Sequence, residues 1–82
     1  MELEREFITR HGRDAIAAMD AGDWQRARAI GRSARSWADI TESPVLAYQW
    51  RVAARNIMRG AENVWHAERV RLGLPLGVKF PA

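Results

Sequence analysis

The chain has 82 residues, room for one domain, with no cysteine and a net charge of +3. The absence of cysteine excludes a disulfide framework and a thiolate metal site, and no apolar run reaches the length of a membrane span. Hydrophobic residues make up 48%, but 14 of them are alanine, so large core side chains are few for a size at which stability is marginal.

That shortage points to oligomerisation or to folding around a partner. The N-terminal stretch MELEREFITR is charged and has no signal-peptide apolar region, so a soluble cytoplasmic protein is expected. Charge is uneven along the chain. Residues 1–23 carry three Arg against six acids, whereas residues 24–59 carry seven Arg against Asp39 and Glu42. Twelve of the thirteen basic residues are Arg, which suits bidentate contact with carboxylate or phosphate.

Residues 2–20 read as a first helix with Leu3, Phe7, Ile8, Ala15, Ile16 and Met19 on its buried face. Glu2, Glu4 and Glu6 lie in its first turns, where the helix dipole favours negative charge. Gly12 interrupts the pattern, and His11-Gly12-Arg13 is the natural place for a break into two shorter helices. In the turn Asp20-Ala21-Gly22-Asp23, Gly22 suits a left-handed C-cap and Asp23 an N-cap. A second helix follows from Trp24 to about Ala38. Its core side is Ala27, Ile30, Gly31, Ala34 and Trp37, with Arg28, Arg32 and Arg35 along the flank.

The stretch AIAAMDAGDWQRARAI resembles the inter-helix segment of a tetratricopeptide repeat, in which a Gly-Asp-aromatic turn joins two antiparallel helices. It occurs once, without that repeat's first-helix aromatic and Leu-Gly positions. A solenoid needs several units, so the resemblance implies a helical hairpin and nothing more.

Residues 39–43 form the second turn. The third helix, residues 44–72, is the longest element, with Ser43 as N-cap and Pro44 at the first helical position. Leu46, Trp50, Ala53, Ile57, Ala61 and Val64 share one face; Arg51, Arg55, Arg59, Glu62, His66 and Arg69 share the other. Unbroken, it would be roughly 40 Å long. Gly60 stands in its middle, and Glu68 and Arg71 fall on the core side of its end. Either the last two turns project beyond the bundle or the helix changes direction near Gly60. Gly73 and Pro75 stop the helix. The tail GLPLGVKFPA is apolar through Leu74, Leu76, Val78 and Phe80, which suits a strap on the bundle or a contact with another chain.

The expected fold is all-α, a small three-helix antiparallel bundle with a long third helix and an extended apolar C-terminal tail. No residue set points to catalysis. Ser33, Ser36, Ser43, Thr9 and Thr41 read as caps or surface residues. The pairs His11/Asp14 and Glu62/His66 have the spacing of solvated helix neighbours. No metal or cofactor is expected from two isolated histidines and no phosphate-cradling Gly-rich loop.

Two features point to binding. The stripes Arg28/Arg32/Arg35 and Arg51/Arg55/Arg59 suit an acidic protein surface or nucleic acid. Of four Trp residues, Trp37 and Trp50 sit on core stripes, while Trp24 and Trp65 are placed as exposed anchors. An Ala54–Met58–Trp65 edge would allow a homodimer through the third helix, and Leu76 and Phe80 a contact through the tail. A helix-turn-helix alignment on Ala18 and Gly22 puts Asp23 and Arg28 in apolar slots and fails.

The favoured function is a small protein–protein interaction module or inhibitor with an acidic partner. In size and style it is similar to phage-encoded accessory proteins such as anti-CRISPR proteins. The alternatives are non-specific nucleic-acid binding and a structural subunit of an oligomer.

Overall fold

The computed structural model describes residues 3–82. Three helices, α1 (Glu4–Asp20), α2 (Trp24–Ile40) and α3 (Pro44–Leu72), pack against one another, and an extended tail follows. No strand occurs among the described residues. The expected start of α1 at Glu2 lies outside them.

Side chains and glycines set most of the helix ends. The Asp23 carboxylate accepts from the Arg26 N–H at 3.1 Å, and the Ser43 hydroxyl from the Leu46 N–H at 3.2 Å. At α1 the cap is Leu3, which has no side-chain acceptor; its N–H instead donates to the Glu6 carboxylate at 3.3 Å. Gly73 is left-handed at φ 71°, and the N–H groups of Gly73 and Leu74 donate to the Val70 and Arg69 carbonyls.

Neither α1 nor α3 breaks at its internal glycine. α1 runs unbroken through Gly12, and His11 beside it is not on a solvated face but is buried and held at both ring nitrogens. α3 runs unbroken through Gly60, whose missing side chain leaves room for the Met19 thioether. At about 1.5 Å per residue the 29 residues of α3 account for the molecule's 45 Å long dimension. The last turns of α3 therefore project past the shorter helices.

The buried stripe is rotated from the expected one. On α3 it comprises Ala47, Trp50, Ala54, Ile57, Ala61 and Trp65, while Leu46, Ala53 and Val64 are half-buried. On α2 it comprises Ala27, Gly31, Ala34 and Ala38, with Ile30 and Trp37 to the side. The reason is helix approach. Small residues at the centre of a crossing let the backbones come close, and the large side chains then fill the edges. α1 follows the same rule with Ala15 and Ala18 at its centre. Leu3 and Ile16, expected inside, are 64% and 60% exposed.

The core has two ends of different chemistry. At one end Trp37 stacks on Trp50 at 5.8 Å, and Phe7 meets Trp37, Trp50 and His11 edge-on. Trp50 is fully buried, and its Nε1–H donates to one Glu4 oxygen at 3.2 Å while Thr41 donates to the other at 3.0 Å. At the other end Ala18, Ala27 and Ala61 form a small-residue cluster, filled out by Met19 and by Phe80 from the tail.

Candidate functional site

Arg35 on α2 and Arg51 and Arg55 on α3 line one groove of about 480 Å³ between the two helices. Ala38, Ala54 and Met58 give it an apolar floor, Asp39 stands at its side, and Ala82 of the tail reaches its rim. The antiparallel hairpin brings the two stripes together, since α2 and α3 form the most extensive helix pairing of the fold.

Asp39, the acid in the groove's lining, makes no ion pair with the arginines beside it. Arg32, Arg35, Arg51, Arg55 and Arg59 are exposed, and their guanidinium groups make no hydrogen bond or ion pair with any described residue. Among the described residues, no acid of the N-terminal region pairs with them. Glu4 is engaged by Trp50 and Thr41, Glu6 by the Leu3 N–H, and Asp23 by the start of α2. Like charges at i and i+4 destabilise a helix by roughly 0.2–0.5 kcal/mol a pair. The Arg51/Arg55 and Arg55/Arg59 pairs therefore carry a cost that a bound anion would relieve.

Arg28 differs from its stripe. It is half-buried, its Nη2 donates over a long 3.5 Å to the Ala82 carbonyl, and its Nε is buried without a partner.

The aromatic sites are placed differently from expectation. Trp65 is not an exposed anchor; it is 6% exposed, because Phe80 packs edge-on against it at 5.6 Å. Arg69 also lies over the Trp65 indole, 4.8 Å from a ring centre, while donating to the Pro75 carbonyl at 2.8 Å. Trp24 is half-buried and also meets Phe80 edge-on, at 5.9 Å. Met58 is half-buried, its side chain lying where a Gly31 side chain would stand. Of the Ala54–Met58–Trp65 edge, Ala54 and Trp65 are buried, and Ala54 and Met58 are reached from outside as part of the groove lining. Leu76 remains 66% exposed.

A polar pair unforeseen from the sequence joins α1 to α2. His11 Nδ1 lies 3.0 Å from the Phe7 carbonyl, which only accepts, so Nδ1 carries the hydrogen. In the neutral ring Nε2 then accepts from the Ser33 hydroxyl at 3.0 Å. Ser33 stands inside α2, where its own N–H follows the helix. The pair is a buried clasp. The only sequence signal for it was a histidine one turn after Phe7 on the same face. On α3, His66 Nε2 and Glu62 lie 4.0 Å apart on the surface.

Among the described residues no cluster of three His, Cys, Asp or Glu side chains is placed to hold a metal, and no helix is long and apolar enough to cross a membrane. Comparison with known proteins finds no matching family model, no matching curated protein and no matching solved structure.

Proposed function

We propose that this chain is a small non-catalytic binding module that takes an acidic segment of a partner protein into the groove between α2 and α3. The observation that carries the reading is the convergence of Arg35, Arg51 and Arg55, from two helices, on one groove whose single acid, Asp39, pairs with none of them. Guanidinium groups bind carboxylates in a bidentate manner, and the Ala38–Ala54–Met58 floor accepts the aliphatic part of a peptide. Covering an acidic surface in this way suits an inhibitor or an adaptor.

The reading favours protein over nucleic acid because a phosphate backbone is tracked by a long basic surface. Here the tail lies against Arg28 at one end of the stripe. The test is anisotropy of a labelled Asp/Glu-rich peptide, set beside labelled duplex DNA and single-stranded RNA, at low and moderate salt. Peptide binding that weakens with salt, and is lost in Arg51→Glu/Arg55→Glu with the helical circular dichroism intact, supports the groove. Peptide binding unchanged by the reversal, or nucleic acid bound more tightly than peptide, refutes it.

A further inference from the structure

We infer that the aromatic slot between Trp24 and Trp65 and the Arg groove are one continuous site, in which the tail holds the place of a partner segment carrying an aromatic residue followed by carboxylates. The inference rests on the acidic-partner reading above and adds the order of chemical groups that the partner presents.

Near its start the tail is held by Arg69, which donates twice to the Pro75 carbonyl, and near its end by Phe80. Phe80 sits between Trp24 and Trp65 and reaches the Ala18, Ala27 and Ala61 cluster. Leu74, Leu76 and Val78, which lead to it, remain 42%, 66% and 48% exposed and pack into no core cluster. The left-handed Gly73 and then Pro75 separate this segment from α3, so it can leave without unwinding the helix. Polar attachment of the tail's last residues is also incomplete. Arg28 meets the Ala82 carbonyl only at 3.5 Å and keeps a buried, unpartnered Nε–H. A buried donor without a partner carries a penalty that a better acceptor removes. A carboxylate side chain supplies that acceptor, and residues 73–82 contain no Asp or Glu to do so.

The path sets the spacing. Phe80 fills the slot, and two residues later Ala82 is already at the rim of the groove lined by Arg35, Arg51 and Arg55. Arg28 and Arg35 are two turns apart on α2, about 10 Å, which an extended chain covers in about three residues. A partner running in the tail's direction therefore places its aromatic ring in the slot and its carboxylates about two to five residues further on.

The tail and such a segment compete for the slot. A tail docked nine-tenths of the time would weaken apparent binding about tenfold, because only the open fraction is competent. Phe80→Ala in the full chain removes the competitor's anchor. Two labelled peptides separate the inference from the reading beneath it. One has a Phe followed by Asp and Glu at the derived spacing, and the other has Ser in place of Phe.

The expected result is that Phe80→Ala tightens the Phe-containing peptide about tenfold and leaves the Ser-containing peptide unchanged. In the unsubstituted chain, saturation with the Phe-containing peptide should abolish the nuclear Overhauser contacts from the Phe80 ring to the Trp24 and Trp65 indoles. That measurement decides the question if Phe80→Ala unfolds. Equal affinities for both peptides, with the Phe80 contacts retained, would overturn the inference and leave the acidic-groove reading standing. Failure of both peptides to bind would overturn both. A concentration-dependent dimer with no gain in peptide affinity would show that the slot takes the tail of a second copy, and would also overturn it.

Discussion

Three glycines lie inside helices, and the same substitution should act on them with opposite sign. Relative to alanine, a helix-interior glycine costs about 1 kcal/mol in conformational freedom. At Gly12 a methyl group would meet nothing within 4 Å, so Gly12→Ala should recover most of that, about 0.5–1 kcal/mol. At Gly31 the new carbon would stand 2.6 Å from the Met58 sulfur, 2.9 Å from Met58 Cγ and 3.2 Å from Ile57 Cγ2. Ile57 is β-branched and buried, so it gives little; Met58 must leave its seat. Overpacking of this kind costs about 1–3 kcal/mol, which outweighs the helical gain and leaves Gly31→Ala less stable by about 1 kcal/mol. Thermal unfolding followed by circular dichroism resolves the difference, since 1 kcal/mol corresponds to about 4–8 °C for a domain of this size. Adding Met58→Ala should relieve the clash, so the double variant should be more stable than the sum of the two single effects. A Gly31→Ala variant stabilised as much as Gly12→Ala would refute the close crossing of α2 and α3.

Two further substitutions test the polar attachments of α1. Ser33→Ala leaves His11 Nε2 buried without a donor and should destabilise by about 1–3 kcal/mol in urea unfolding, whereas Ser36→Ala, which removes only an exposed bond to the Arg32 carbonyl, should have little effect. Glu4→Ala removes the acceptor shared by Trp50 Nε1 and Thr41, and should cost about 1–3 kcal/mol while shifting the indole Nε1–H resonance of Trp50.

A helical wheel is a partial guide to the groove. Arg35 and Arg51 stand eight residues to either side of Ser43, so an antiparallel hairpin turning there sets them side by side. That convergence was readable once the turn was placed. The stripes taken separately do not reveal the Ala38 and Ala54 floor or the arrival of Ala82 at the rim. Trp65 was misplaced for a related reason. Its wheel position is at the edge of the core stripe, and its burial comes from Phe80, fifteen residues away across a non-helical tail with no periodic signal.

The sequence alone determined the three helices and their long third member, because caps, turn glycines and the 3.6-residue period are local properties. It also determined that two rows of Arg flank the second turn. Tertiary structure decided which residues face inward, since the small residues Gly31, Ala34, Ala54 and Ala61 set a close helix approach and rotated the buried stripes around it. It decided as well that His11 bonds Ser33, that Gly60 seats Met19 rather than bending α3, and that the tail covers Trp65. Each of these depends on a contact between side chains distant in sequence, and the distance and angle between packed helices exist only once the chain has folded.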